Sequence, residues 1–270
     1  MTFESANGAK ENILDKKNNA IAVFDSGVGG ISVLRELVAI MPNENYIYFG
    51  DSKNAPYGSR TRKEVLELTQ SALEMLKDRG IKAFVVACNT ATSAAVRVLR
   101  EQNPELVIVG IEPAIKPPAM ELDHPRVLVM ATPLTLAEEK FVRLVERYSD
   151  RETVIPLPCP RLAELVEGGE LDGEEMDSYI GELLSPYKDG GIDAVVLGCT
   201  HYPHIKNIIA RHIPHSVKIY DGGIGPARHT KRLLDEAGML SDTQGEGNIE
   251  ILNSSSDKKY VELCKKLLYR

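Results

Sequence analysis

The chain has 270 residues, a formal net charge of −7 and a hydrophobic share of 43%. A chain of this length can bury a sizeable core in one or two domains without disulfides or metals. The negative charge and the absence of tryptophan or a basic stripe disfavour a nucleic-acid surface, because phosphate binding depends on clustered Lys and Arg. The composition therefore favours a small-molecule partner.

Hydropathy and cysteine usage predict a soluble protein with reduced thiols. Residues 1–19 lack the apolar region of a signal peptide, and no run of about 18 apolar residues occurs in the chain. We therefore expect a cytoplasmic location, no membrane contact and a disordered tail over 1–19. The cysteines are Cys88, Cys159, Cys199 and Cys264. They form no CxxC pair, so the sequence predicts neither a zinc ribbon nor a dithiol redox motif.

The first predicted element is a strand over 21–24, which leads into the turn DSGVGG (25–30) and an amphipathic helix. Glycines permit a tight turn and bring backbone N–H groups at a helix N-terminus close to a carboxylate or phosphate. The turn lacks the third glycine of GxGxxG and no Walker lysine follows, so a nucleotide is disfavoured. A purely structural turn is an equally good interpretation.

A second predicted strand over 46–49 ends in the loop NAPYGS (54–59), which precedes a helix over 62–79. Because Pro and Gly supply the backbone angles of turns, this loop by itself indicates no chemistry. A third strand, AFVVA (83–87), leads directly to Cys88. The first half of the chain is therefore predicted to alternate strands and helices.

The third strand and its cysteine have a near-copy in the second half of the chain. AFVVACNTATS (83–93) and AVVLGCTHYPH (194–204) align without a gap, with Cys88 opposite Cys199. Each segment is predicted to be a buried parallel strand that ends in a cysteine and polar residues at the carboxyl edge of a sheet, where open α/β sheets bind ligands. Two thiols on two related halves are the main chemical feature of the sequence.

The two halves share the order strand, helix, strand, loop, helix, strand, cysteine. The proline-rich segment 113–125 lies between them and is the predicted domain crossing, because such stretches carry few regular contacts. The predicted fold class is α/β, with two pseudo-symmetric doubly wound domains, mostly parallel sheets and the active site at the domain interface. The predicted domains are 20–112 plus 222–270, and 113–221.

Two thiols on opposite sides of a bound molecule can act as a base and an acid. A nearby cation or helix N-terminus lowers the pKa of a thiol from its reference value near 8.5, so one cysteine can be a thiolate while the other stays protonated. The thiolate can remove a Cα proton from one face while the thiol protonates the other face, which inverts the centre. Asp25 and His201 are the predicted helpers of the two sulfurs. The predicted carboxylate ligands are Ser26, Asn89, Thr90 and Thr200.

Four segments resemble the glutamate racemase family of bacterial cell-wall synthesis. They are FDSGVGG (24–30), PYG (56–58), ACNTA (87–91) and GCTHYP (198–203), within a resemblance that covers about residues 20 to 260. The resemblance implies that D-glutamate and L-glutamate are interconverted without cofactor or metal, and that the product supplies peptidoglycan synthesis. It also implies two α/β domains with the site between them, and a homodimer.

The resemblance implies roles for individual residues as well. Cys88 and Cys199 are the implied proton carriers, the first for the D-enantiomer and the second for the L-enantiomer. Glu167 resembles the acidic residue that assists the second thiol, and a solvated carboxylate at a helix end is a comparable interpretation. Cys159, between two prolines, resembles a non-catalytic cysteine, whereas Cys264 is predicted to pack within the last helix. The implied substrate contacts come from Asp25, Ser26, Tyr57, Gly58, Asn89, Thr90, Thr200 and His201.

Other functions have sequence features of their own. Cys88, Cys199, His201 and His204 could supply ligands for zinc, although the more specific zinc-ligand spacings are absent. A related racemase or decarboxylase acting on aspartate, hydantoins or malonates would share the two thiols and differ in the side-chain pocket. A non-catalytic module for an acidic metabolite would bind without exchanging the Cα proton. No segment resembles a pyridoxal phosphate site.

Overall fold

The computed structural model describes residues 17–270, so most of the predicted tail lies outside the described residues. The strands are β1 Ala20–Asp25, β2 Tyr46–Gly50, β3 Ile81–Val86, β4 Val107–Gly110, β5 Arg126–Ala131, β6 Thr153–Pro158, β7 Ala194–Leu197, β8 Lys218–Asp221 and β9 Ile249–Asn253. The longer helices are α1 Ile31–Ile40, α2 Arg62–Lys77, α3 Asn89–Gln102, α6 Glu139–Tyr148, α8 Glu174–Leu184, α10 Ile224–Glu236 and α11 Lys259–Leu268. The short ones are α4 Lys116–Glu121, α5 Pro133–Ala137, α7 Leu162–Glu167 and α9 Lys206–Arg211.

The strands form two sheets in which every neighbouring pair is parallel. The first sheet has the order β4-β3-β1-β2-β9 and the second has the order β6-β5-β7-β8. The predicted α/β class with mostly parallel sheets is confirmed. Among residues 17–270, no helix is long and apolar enough to cross a membrane.

Helices cover both faces of the first sheet, which explains its uninterrupted apolar strands. Alternate residues of β1 enter two different cores: Ile21 packs in the cluster that contains Leu34 of α1, and Phe24 packs in the cluster that contains Leu73 of α2. Because successive side chains of a strand point to opposite faces, a strand buried on both faces is apolar at nearly every position. The sheet is therefore doubly wound, as predicted.

The segment 113–125 differs from the prediction that it carries few regular contacts. It contains α4, with prolines in its first turn, where the missing N–H groups cost no helical hydrogen bond. Ile115, just before this helix, is fully buried and packs in the same cluster as Phe141. The chain does cross here from β4 of the first sheet to β5 of the second. The crossing is therefore a packed element of the second half.

The last part of the chain returns to the first sheet. Helix α10 packs against α1 and β4, and β9 pairs with β2. The short strand β8 and the helix α9 were not predicted, because neither has a clear apolar period. Sheet membership is consistent with a change of domain near residue 222, while the exact domain boundaries stay a prediction.

A buried ion pair lies at the amino-terminal end of the strands of the first sheet, opposite the end that carries Cys88. Lys82 and Glu44 form this pair, with side chains 0% and 3% exposed. The Lys82 ammonium also donates to the carbonyl oxygens of Lys17, at 2.5 Å, and Met239, at 2.9 Å. Glu44 Oε1 accepts the N–H of Ser241 at 2.9 Å. The pair therefore joins the beginning of the described chain, β3 and the loop after α10.

We expect Lys82→Met to lower the free energy of unfolding by about 3–5 kcal/mol, because it leaves the Glu44 carboxylate buried without its cation. Urea unfolding measures this loss. The double variant Lys82→Met, Glu44→Gln should recover part of the stability, since glutamine has no charge to bury and its oxygen can still accept from Ser241. A loss below about 1 kcal/mol in the single variant would contradict the importance of the pair.

Candidate active site

The carboxyl edges of the two sheets face one cavity, and both predicted thiols line it. Cys88 follows β3 and precedes α3, while Cys199 follows β7. Every predicted site residue except Asp25 lines this cavity: Ser26, Tyr57, Gly58, Cys88, Asn89, Thr90, Glu167, Cys199, Thr200 and His201. The cavity volume is about 30 Å³, room for one or two water molecules. The cavity is therefore smaller than an amino acid in this structure, and binding of one requires some of the lining groups to move.

Asp25 lies beneath the cavity instead of lining it. Its side chain is fully buried, Oδ1 accepts the N–H of Gly27 at 3.0 Å, and Oδ2 accepts the hydroxyl of Thr200 at 3.0 Å. Burial raises the pKa of Asp25 above its usual value, against the opposing effect of the nearby His201 charge. Asp25 therefore holds Thr200, a residue of the second half, in place.

Cys88 lies in a largely apolar environment at the start of α3. It is 6% exposed, and the N–H of Ala91 donates to its Sγ at 3.4 Å. Burial raises the pKa of this thiol to about 12, and the Asp25 charge raises it further, while hydrogen bonds from Ser26 and Ala91 have a smaller lowering effect. Cys88 is therefore a protonated thiol at neutral pH in this structure.

Cys199 begins a line of three polar groups. Its Sγ lies 3.5 Å from Nδ1 of His201, and Nε2 of His201 donates to Oε1 of Glu167 across 2.6 Å. Burial by itself lowers the pKa of His201, but the Cys199 sulfur and the Glu167 carboxylate outweigh it and raise that pKa well above its ordinary value. The raised pKa favours a protonated His201 ring, which places a positive charge beside the Cys199 sulfur.

Glu167 also contacts the first half of the chain. Its Oε1 accepts the N–H of Val28 at 2.5 Å, and its Oε2 accepts the hydroxyl of Ser52 at 3.1 Å. The side chain is 12% exposed. The interpretation of Glu167 as a solvated carboxylate is inconsistent with this burial and these three partners. The glycine-rich turn before α1, where the sequence predicted an external carboxylate or phosphate, binds the chain's own Glu167 through the N–H of Val28.

Two threonines in the cavity were missed by the sequence analysis. Thr132 and Thr135 lie at the start of α5, and their hydroxyl oxygens are 2.9 Å apart. The hydroxyl of Thr90 lies 3.4 Å from that of Thr132 and 3.2 Å from that of Thr135. The position of Thr132 in the sequence could have indicated its role, because Thr132 directly follows β5 as Ser26 directly follows β1. Together these three residues form a hydroxyl cluster shared by the two halves.

Tyr57 lines the cavity, but its hydroxyl is already bonded. It donates to Oδ2 of Asp51 at 2.6 Å, and the Asn54 amide donates to both oxygens of the same carboxylate at 3.0 and 3.1 Å. Asp51 was also missed, because an Asp after a strand is common in turns. The loop at Tyr57 is therefore held from beneath by Asp51.

The other cysteines and His204 have different surroundings. Cys159 and Cys264 are fully buried, as expected for packing residues. His204, one of the ligands considered for zinc, donates from Nε2 to the carbonyl of Gly29 at 3.1 Å. Within residues 17–270, no group of three or more His, Cys, Asp or Glu side chains is arranged to hold a metal ion.

A larger groove of about 560 Å³ lies on the outer face of the second sheet, between α6 and β6. Its lining is almost entirely apolar, with Glu146 as the single titratable residue. Such a surface has no acid and base pair for chemistry. The small polar cavity is therefore the candidate active site.

Known proteins are similar to this chain over most of its length. The family model described as Asp/Glu/Hydantoin racemase matches residues 21–224. A glutamate racemase of Clostridium perfringens (strain 13 / Type A) is 50% identical over 254 residues, 94% of this chain and 98% of that protein. One of Clostridium kluyveri is 51% identical over 257 residues, 94% and 99% of the two chains. The crystal structure of the Francisella tularensis glutamate racemase with D-glutamate has a TM-score of 0.81 and 29% identity, with 94% and 95% coverage.

We expect Glu167→Gln to lower the pKa of His201, because it removes the negative charge beside Nε2. The ¹⁵N NMR signals of the His201 ring should then titrate at lower pH than in the unchanged chain. Glu164→Gln is the matched control, since Glu164 is an exposed carboxylate on the same helix. Equal titration curves for all three proteins would contradict the pairing.

The same pair has a defined pH dependence in stability. Because the folded chain holds the His201 proton more tightly than the unfolded chain, the pair stabilises the fold below the ordinary value of 6.5 and loses this effect as pH rises through the raised pKa. The difference in unfolding free energy between the unchanged chain and Glu167→Gln should therefore shrink on that rise. A difference in unfolding free energy that grows as pH rises would contradict the raised pKa of His201.

Proposed function

The chain belongs to the Asp/Glu/Hydantoin racemase family, and from this premise we propose that it interconverts L-glutamate and D-glutamate by proton transfer between two thiols. The single observation that carries the proposal is that Cys88 and Cys199, from the two halves of the chain, line one closed cavity. An enzyme that used a single acid–base group for both directions would need only one thiol in the cavity. A thiol from each half supplies an acid and a base for opposite faces of Cα.

The surroundings of the two sulfurs favour one starting direction. The raised pKa of Cys88 favours its thiol form, while Cys199 lies 3.5 Å from the His201 ring, whose pKa is raised as well. We infer that the Cys199 thiolate takes the Cα proton of L-glutamate and becomes a thiol. The Cys88 thiol then gives its proton to the opposite face of Cα, which yields D-glutamate and a thiolate at Cys88. In the reverse direction the two sulfurs exchange these roles.

Substrate binding uses the polar groups that line the cavity. Glutamate carries two carboxylates and one ammonium, so it needs several donors and at least one acceptor. The hydroxyl cluster of Thr90, Thr132 and Thr135 supplies donors for one carboxylate. Asn89 is 6% exposed, and within residues 17–270 its Oδ1 has no hydrogen-bond partner, so it is the proposed acceptor for the ammonium. Donors at the α-carboxylate also stabilise the negative charge that develops when the Cα proton leaves.

Several finer statements follow from the family and stay proposals. We propose that the chain works as a homodimer in the cytoplasm and that its D-glutamate supplies peptidoglycan synthesis. We also propose that it needs neither cofactor nor metal, because two positioned thiols provide the acid and the base directly. The proposed domains are 20–112 plus 222–270, and 113–221, which the membership of the two sheets supports.

We expect the unchanged chain, without added cofactor or metal, to racemise D- and L-glutamate and to exchange Cα–H with solvent deuterium. Cys88→Ser and Cys199→Ser should lose racemisation, because a serine hydroxyl is too weak an acid and base for its role. NMR follows the exchange and circular dichroism follows the optical activity. Cys264→Ser is the matched control, since it changes a cysteine outside the cavity.

Each other outcome of this experiment identifies a different function. Exchange with aspartate or another acid, and not with glutamate, would keep the two-thiol site and change the substrate. Binding of glutamate without exchange would support the non-catalytic module. Activity that depends on zinc, with zinc found in the purified protein, would support the metal hypothesis.

We expect Thr132→Val and Thr135→Val to raise KM for glutamate about tenfold or more each, because a hydrogen bond to a charged group is lost while side-chain volume is kept. Steady-state kinetics in both directions measures this. Thr153→Val, at an exposed position at the start of β6, is the control and should leave KM unchanged. An unchanged KM in both cluster variants would remove these threonines from the site.

A further inference from the structure

The glycine-rich turn 27–30 of the first half contacts the second half of the chain directly. Within the turn, the carbonyl of Gly29 accepts from Nε2 of His204 at 3.1 Å. Just after it, in α1, the hydroxyl of Ser32 donates to the carbonyl of Thr200 at 2.9 Å. The N–H of Val28 is bonded to the Glu167 carboxylate, as described above. The turn is therefore part of the contact surface between the halves.

The backbone angles of this turn do not explain its glycines. Neither Gly27 nor Gly29 has a φ in the left-handed region, and Gly30 has a φ of −63°. A φ outside the left-handed region does not by itself require glycine. A different property of glycine, the absence of a Cβ atom, must therefore matter at these positions.

Side chains of the second half occupy the space in which these Cβ atoms would lie. A Cβ on Gly27 would be 1.8 Å from Oε1 and 2.4 Å from Cδ of Glu167. A Cβ on Gly29 would be 2.5 Å from Nδ1 and 2.7 Å from Cε1 of His201. Carbon atoms do not approach non-bonded atoms this closely. The two glycines therefore make the room in which the Glu167–His201 pair lies.

The nature of the obstructing atoms separates these two glycines from structural ones. A Cβ on Gly50 would meet the backbone oxygen of Gly27 at 2.3 Å, so the fold itself would have to change. At Gly27 and Gly29 the obstructing atoms belong to side chains. An alanine Cβ at these positions therefore acts on Glu167 or His201 before it acts on the backbone.

We propose that Gly27 and Gly29 are positioning residues, which align the Glu167–His201 pair beside Cys199 where the two halves meet. The turn is then the docking surface for this pair, and an external anion is not its ligand. For its kinetic readout the inference rests on the proposed racemase function.

The test compares Gly29→Ala with Gly225→Ala, in which the new Cβ has no atom within 4 Å. We expect Gly29→Ala to lower kcat about 100-fold, the effect of moving a catalytic group by about 1 Å, with a much smaller change in KM. Its thermal unfolding should match that of Glu167→Gln, because displacement of His201 loses the same pair and the fold is otherwise kept. A kcat equal to that of the control would overturn the proposal, and so would a loss explained by unfolding.

Thiol accessibility gives a readout that does not need activity. Cys199 is 9% exposed in the closed cavity, and Cys159 and Cys264 are fully buried. Displacement of His201 in Gly29→Ala should change the rate of iodoacetamide labelling at Cys199 relative to Gly225→Ala, because the ring lies 3.5 Å from this sulfur and a charge on it would favour the reactive thiolate. Mass spectrometry measures the rate, with the buried cysteines as internal references. An unchanged labelling rate at Cys199 would contradict the proposal. If the unchanged chain does not racemise glutamate, the proposed function fails and the labelling rates alone decide this inference.

A compensating substitution tests the contact at Gly27. Glu167→Asp shortens the side chain by one methylene and frees the space that an alanine Cβ needs. We expect Gly27→Ala, Glu167→Asp to be about tenfold more active than the product of the two single effects predicts. Independent effects of the two substitutions would show that they do not share this space, and the proposal would be wrong.

Discussion

The carboxylate of Glu167 is the contact on which the rest of the site depends. Its two oxygens accept from His201, from the N–H of Val28 and from the hydroxyl of Ser52, so one side chain of the second half is bonded to both halves. A buried carboxylate is costly unless its oxygens are paired, and each of these donors offsets part of that cost. The orientation of the His201 ring and the relative position of the two sheets are therefore not independent.

The two halves are similar in backbone and different in chemistry. In the near-copies, Cys88 corresponds to Cys199, while Thr90 corresponds to His201. Both cysteines follow a buried parallel strand, but only Cys199 has an imidazole beside it, and Cys88 is surrounded by groups that keep its proton bound. The repeated strand thus gives two thiols on one cavity, and the residues after each strand make them unequal.

The sequence was sufficient where local pattern decides structure. The strands at Cys88 and Cys199 could be predicted because they are continuous apolar runs, and their meeting follows from the shared carboxyl edge of parallel strands. The burial of Glu167 and the hydroxyl cluster at Thr132 could not be predicted, because both depend on how one sheet faces the other. The helix within 113–125 was missed for a related reason: its prolines fit the first turn of a helix, and Ile115 is buried against Phe141, a contact distant in sequence.

The order of strands in the first sheet has a consequence for synthesis of the chain. β1 to β4 are complete by residue 110, but the neighbour of β2 at the sheet edge is β9, at Ile249–Asn253. The second sheet is contiguous and uses residues 126–221 only. On a ribosome, the second half can therefore finish its sheet while β2 of the first half still has an open edge, which is a template for wrong pairing. The first sheet, whose first strand is synthesised before all the others, is therefore the last to be completed.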